Sequence, residues 1–164
     1  MAELLQITST RIALASEIDQ VFLMGADIWA LGSEADYLAT CHANTKYKEG
    51  TWYILSKNDQ LVSSLVVYKF AVDEFGFGSI ATPPPLQKMG YASILINDVI
   101  AKIEAQRPSP NIFLYSDIDP HFYEKFNFVS LPPKTQKYKT TTCMVRSQTP
   151  ETYFHEIAKI PDYF

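Results

Sequence analysis

Residues 79–95 read SIATPPPLQKMGYASIL, which places an apolar stretch, three prolines and a glycine directly ahead of a helical repeat. Proline lacks a backbone N–H, so Pro83–Pro85 end the strand carrying Ile80 and Ala81 and remove ladder donors from its tip. A neighbouring strand must then part from it, opening a wedge at the sheet. The helix starting near Gln87-Lys88-Met89-Gly90-Tyr91-Ala92 exposes its first N–H groups, which have no intrahelical partner, and carries about half a positive charge there. Such a terminus attracts anions, phosphates above all. Gly90 and Ala92 keep side-chain bulk away from a diphosphate at the backbone, and Gln87 can add a side-chain donor. The competing reading is a plain helix start with two small residues packed against a strand.

Composition narrows what else the chain can be. Its 164 residues are 47% hydrophobic and 20% charged, which suits one globular domain with a sizeable core. A formal charge of −4 gives no footprint for nucleic acid, which needs clustered Lys and Arg. Lys134, Lys137 and Lys139 form the densest basic run, read as a solvated loop. No apolar run approaches the ~20 residues of a membrane helix, and MAELLQITSTRIALASE lacks the pattern of a signal peptide. Cys41 and Cys143 have no metal-ligand spacing and read as free thiols in a reducing, cytoplasmic setting. His42, His121 and His155 are scattered, so no metal is expected.

The elements that must position the proline–glycine segment follow from periodicity. Residues 8–14 suggest a strand. A helix is expected from Ser16 as N-cap, with Ile18, Val21, Phe22, Ile28 and Trp29 inward, and a second from Ser33 that fades at Asn44. TWYILS and LVSSLVVYKF form a hairpin signature around Asn58-Asp59. EFGFGSIAT reads as a strand, 89–106 as a long helix and NIFLYS as a buried strand. Asp119 and Pro120 start a short helix that Asn127 ends. Phe128–Leu131 and Thr140–Ser147 close the sheet. PETYFHEIAKIPDYF suggests an amphipathic terminal helix with Tyr153, Phe154, Ile157 and Ile160 inward. One domain is expected over 1–164, with a core at 5–148 and a helical extension at 150–164. The class is α/β (α+β), with a mixed, largely antiparallel sheet.

Two segments resemble known motifs. SIATPPPLQKMGYASILI is similar to the acyl-CoA-binding motif of the GNAT superfamily of N-acetyltransferases, with Thr82, Pro84, Gln87, Gly90 and Ala92 at the motif positions. FYEKFNF resembles that family's second motif, with Tyr123 at its tyrosine and Asn127 in place of glycine. The triple proline is unusual for the family, and Ser116 stands about where many members carry an asparagine that contacts the cofactor. The resemblance covers residues 5–148 and leaves the tail outside. It implies a splayed strand pair at a cofactor wedge, acetyl-CoA as acyl donor, an amine acceptor, and cofactor contacts from Ile80, Ala81, Thr82, Gln87, Lys88, Met89, Gly90, Tyr91, Ala92, Ser93 and Ser116.

The implied reaction makes three demands. An amine with pKa ~10.4 must lose its proton. Charge on the thioester oxygen needs a donor, which a backbone N–H near Ile80–Thr82 can supply. The leaving thiolate needs a proton, which a phenol with pKa ~10 can give. Tyr123 fits the acid role on its motif position. Glu74 is the candidate base, although the position where some family members carry a catalytic glutamate corresponds to Gly76. Asp117, Asp119 and His121 are lesser candidates, with Asp119 read mainly as a cap. Trp29, Tyr37, His42, Tyr47 and Tyr138 are divided between acceptor pocket and core. A non-catalytic acyl-CoA-binding or protein-interaction module is the alternative. An unrelated nucleotide-binding protein is disfavoured because neither GxGxxG nor GxxxxGK[ST] occurs. The tail is left between covering the core and joining two copies as a homodimer.

Overall fold

The computed structural model describes residues 7–164, so the expected core boundary at residue 5 lies outside the described residues. Strands β1 (Thr8–Ile12), β2 (Thr51–Lys57), β3 (Gln60–Ala71), β4 (Glu74–Ala81), β5 (Asn111–Ser116), β6 (Val129–Ser130) and β7 (Thr142–Arg146) form one sheet, ordered β1-β2-β3-β4-β5-β7-β6. The helices are α1 (Ile18–Leu23), α2 (Ala26–Trp29), α3 (Glu34–Ala43), α4 (Thr45–Glu49), α5 (Tyr91–Gln106) and α6 (His121–Glu124). The expected class holds: a mixed, mostly antiparallel sheet flanked by helices. Only a crossover lets consecutive strands run parallel, and α5 supplies it between β4 and β5, a parallel pair. These two strands share a ladder over Glu74–Phe77 and Asn111–Leu114, although β4 continues to Ala81 and β5 to Ser116.

The chain forms two compact units. One holds residues up to Val67 together with Ser79–Ile100, and the other Tyr68–Gly78 with Ala101–Phe164. In the first, β2 and β3 make the expected hairpin. Its turn residues Asn58 (φ 50°) and Asp59 (φ 64°) take the left-handed conformation that a two-residue turn demands. Ser33 Oγ accepts from the Asp36 amide at 3.1 Å, as its N-cap role requires. Asn44 ends α3 as expected and also starts α4, accepting from the Lys46 amide at 2.9 Å.

The first helix departs from expectation in two ways. Ser16 is not its cap; it sits inside a 3-10 turn over Ala15–Glu17. There Glu17 accepts from the Leu14 amide at 2.8 Å and from both terminal nitrogens of Arg11 at 2.7 and 2.8 Å. The Arg11 guanidinium, followed by the Leu14 amide, holds the Glu17 carboxyl down at about 2. The expected single helix to Trp29 is also broken at Gly25, a poor helix former, and the Trp29 ring lies where a Cβ on Gly25 would stand. The break turns Ile28 (65% exposed) and Trp29 (37%) outward instead of into the core.

In the second unit, Asp119 Oδ1 accepts from the His121 amide at 3.0 Å to start α6, and Asn127 ends the segment at φ 68°. The tail is not the expected amphipathic helix. It makes two 3-10 turns, Pro150–Tyr153 and Ile157–Lys159, and Ile157 faces solvent. Isolated helices of this length are marginal, and separate anchors decide the path. Tyr153 and Ile160 bury against Phe113, Leu131, Cys143 and Val145, and the Tyr115 hydroxyl donates to the Pro161 carbonyl at 2.5 Å. The Phe164 ring ends over Gly76, whose added Cβ would stand 2.6 Å from it and 2.8 Å from Phe70.

Both cysteines are free and buried. Among the described residues, no helix is long and apolar enough to cross a membrane and no acidic, His or Cys group could hold a metal.

The Gly76 contact can be tested. Gly76→Ala overpacks the ring and should cost about 1–3 kcal/mol in urea unfolding. Phe164→Ala in the same chain removes the nearer of the two rings and leaves Phe70, so the double variant should lose less than the sum of the singles. Strictly additive losses would show that the ring does not press on β4.

Candidate functional site

The proline–glycine segment becomes a hooked loop at the end of β4. Ser63 Oγ donates to the Ala81 carbonyl at 3.0 Å and pairs with Thr82 Oγ1 at 3.0 Å. Pro84–Leu86 make one 3-10 turn, and Gln87 Nε2 folds back to donate to the Thr82 carbonyl at 2.9 Å. Gln87 thereby ties the loop closed with a donor expected to face an anion. Lys88 (φ 63°) and Gly90 (φ 84°) both adopt left-handed backbone, and Tyr91 then begins a sixteen-residue helix.

This path leaves the amides of Gly90, Tyr91 and Ala92 with no acceptor among the described residues. Gly90 is open outward: a Cβ there would meet no heavy atom within 4 Å. Tyr91 is buried, whereas Lys88, Met89 and Gly90 are exposed. Lys57 Nζ donates to the Tyr91 hydroxyl at 2.8 Å and lies 5.3 Å from the ring centre, which holds an ammonium at the tip of the helix's first side chain. The donor set and the open glycine fit an anionic group such as a diphosphate.

Just upstream, Ser79 takes φ 45° inside β4, a left-handed step in a strand, and its Oγ meets the Tyr47 hydroxyl at 2.9 Å. Ile80 and Ala81 follow this kink, Ala81 buried and Ile80 half-buried. Ser93 occupies the third position of α5.

The second unit holds the other candidates. Tyr123 lies in α6 with its ring buried at 7% exposure, edge-on to Phe122 at 5.0 Å and to Phe128 at 6.2 Å. Its hydroxyl has no hydrogen-bond partner among the described residues. Burial, and secondarily the charge of Asp117, push this phenol up to about 12, so it keeps its proton throughout the neutral range. Glu74 is half-buried and accepts from the Tyr153 hydroxyl at 3.3 Å. Ser116 is buried, and its hydroxyl is taken by the Ile118 carbonyl at 2.8 Å. Asp117 accepts from the Tyr163 hydroxyl at 3.2 Å. The His121 ring contacts Glu124 at 2.8 Å, and that contact raises its pKa, which favours the protonated form and disfavours a base.

Lys57, Ser63 and Ser79 were not singled out from the sequence. Ser63 inside the apolar run LVSSLVV was the available signal, since a hydroxyl buried in a strand usually has a specific partner, although that of Ser64 beside it has none among the described residues.

No family sequence model matches the chain, and neither does any curated protein sequence. Solved structures do match. An acetyltransferase of the GNAT family from Staphylococcus aureus superposes with TM-score 0.61 at 13% identity, over 86% of this chain and 99% of that one. The ribosomal-protein-S18-alanine N-acetyltransferase from Escherichia coli gives TM-score 0.61 at 13% identity, over 85% and 91%. The chain has the fold of the GNAT acetyltransferases. An N-acetylglutamate synthase from Neisseria gonorrhoeae, solved with coenzyme A and L-arginine, superposes with TM-score 0.64 at 21% identity over 87% of this chain, which spans only 33% of that one.

Gly90→Glu would put a carboxylate in front of the three amides. The Cβ has room, and the left-handed backbone costs a non-glycine residue roughly 1–2 kcal/mol, so the fold should survive. Thermal stabilisation by coenzyme A is expected to disappear in this variant while its circular dichroism stays native; undiminished stabilisation would contradict the assignment.

Proposed function

We propose that the protein is an N-acetyltransferase that moves an acetyl group from acetyl-CoA to a primary amine of a small molecule or peptide, by direct attack in a ternary complex. The observation that carries this reading is the set of three amides at Gly90, Tyr91 and Ala92 with no acceptor among the described residues, opening a sixteen-residue helix beside an unobstructed glycine. Likeness to GNAT folds, including one solved with coenzyme A, supports the choice of anion. Bound acetyl-CoA would supply an activated acetyl thioester.

The chain's own residues then have distinct tasks. The amides of Gly90, Tyr91 and Ala92 hold the diphosphate, Lys57 adds positive charge at Tyr91, and the Gln87 and Ser63 hooks keep the loop in shape. Backbone N–H groups after the Ser79 kink, at Ile80–Thr82, stabilise charge on the carbonyl oxygen. Tyr123 is the acid. A buried phenol that keeps its proton to about pH 12 is available to a leaving thiolate at any neutral pH, and its hydroxyl is not engaged elsewhere among the described residues. Glu74 begins β4 six residues before Ile80, about 20 Å away at ~3.3 Å per residue, so in the role of base it would act on the amine only through a relay of waters, with the Tyr153 hydroxyl orienting its carboxylate.

A second reading has one observation in its favour. Gly76, at the position where some family members place a catalytic glutamate, is covered by the Phe164 ring. A protein that binds acyl-CoA without transferring the acyl group would tolerate this.

Acetyl-CoA turnover by the wild type with amine acceptors separates the two, and Tyr123→Phe then tests the acid. For an acid contributing in the ordinary range, kcat should fall roughly a hundredfold, with coenzyme A affinity by calorimetry unchanged. The wild-type rate should show no decline near pH 10 from loss of the acid proton, because the group titrates near 12. Unaltered turnover in the variant would remove Tyr123 from the chemistry.

A further inference from the structure

We infer that the first unit contains the acceptor pocket, and that it selects a small amine bearing an apolar body and an acid group over polyamines and other polycations. The inference rests on the acyl-transfer reading above. A cavity of about 480 Å³ lies among the end of β1, α1, the end of α3, α4 and the start of β2. That size suits an amino-acid-like or slightly larger molecule, within the ~300–1,000 Å³ of small-ligand sites.

The wall is aromatic and rigid. Phe22 stacks on Tyr47 at 5.6 Å, and Trp52 meets both edge-on at 5.5 and 5.0 Å. Phe22 and Trp52 are nearly buried, and Trp52 Nε1 donates to the Tyr47 carbonyl at 3.2 Å, which fixes the rings against each other. Such a surface takes a flat or branched apolar body.

The charge at the rim has one sign. Among the described lining residues there is no Asp or Glu, while Lys48 supplies an ammonium. His42 Nε2 is held by Asp19 Oδ1 at 2.5 Å, outside the lining, so that carboxylate is already engaged. Lys48 has no ion-pair partner among the described residues. A polycation would bring its charges against Lys48 with no carboxylate in the wall to receive them, whereas an acid group on the acceptor would meet an available ammonium.

One lining side chain links the pocket to the backbone proposed to hold the reacting carbonyl. The Tyr47 hydroxyl, at the inner wall, touches Ser79 Oγ at 2.9 Å, and Ser79 is the left-handed residue directly before Ile80. An amine seated on the Tyr47–Trp52 wall is thus separated from that strand segment by the Tyr47 side chain alone.

The test uses coenzyme-A-loaded protein with L-phenylalanine, 2-phenylethylamine and spermidine as probes, first for binding by calorimetry and then, with acetyl-CoA, for thiol release. L-phenylalanine should bind roughly tenfold more tightly than 2-phenylethylamine, with spermidine weakest. Lys48→Glu should reverse that order without changing coenzyme A affinity. Equal binding of the three, no binding of any, a preference for spermidine, or an order indifferent to Lys48→Glu would overturn the inference. Binding in the expected order without thiol release would leave the pocket standing and remove the acyl-transfer reading. Thiol release with spermidine as the best acceptor would do the reverse.

Discussion

Backbone amides without partners are expensive to leave unsatisfied, and this fold sets three side by side at Gly90, Tyr91 and Ala92 with no acceptor among the described residues. They arise because the chain leaves β4 through three prolines, turns once as a 3-10 helix, and passes Lys88 and Gly90 in left-handed backbone before α5 can start. A sixteen-residue helix behind them adds roughly half a positive charge to the same end. The unit's other features near this point serve to hold that geometry. Ser63 grips Ala81 and Thr82, Gln87 closes the loop on Thr82, and Lys57 adds its ammonium at Tyr91.

Strand β4 is where structure passes into chemistry. Its first half pairs with β5 in parallel, and that ladder ends at Phe77. Two residues later Ser79 takes a left-handed step, and the strand then runs into the prolines. Within eight residues the strand carries a carboxylate at Glu74, a glycine under an aromatic ring at Gly76, and a kink tied to Tyr47 at Ser79. Small residues at 76 and 78 weaken a strand energetically. At Gly76 the gain is evident: the bare backbone leaves the space that the Phe164 ring fills.

Much of this was legible in the sequence because it depends on local rules. Pro83–Pro85 and Gly90 mark their own backbone, Asn58-Asp59 and Asn127 take left-handed conformations as their types favour, and Ser33 and Asp119 cap the helices they precede. What was illegible depends on contacts distant in sequence. Periodicity made the tail an amphipathic helix, but the anchors at Tyr115, Phe113 and Gly76 pull Tyr153, Ile160 and Phe164 into separate sites and hold it in short turns. Likewise Ser16 is the better cap by type, yet Glu17 has Arg11 across from it and a doubly paired carboxylate. Gln87 has the right type for an anion contact, but its orientation was decided by the Thr82 carbonyl, which no spacing rule reveals.

The central claim is that the three amides at the start of α5 take a diphosphate. Titrating isotopically labelled protein with coenzyme A while following backbone amide resonances reads those groups individually. The account predicts that Gly90, Tyr91 and Ala92 show the largest shifts and saturate together. Saturating coenzyme A that leaves these three resonances in place, with shifts elsewhere or none at all, would contradict it.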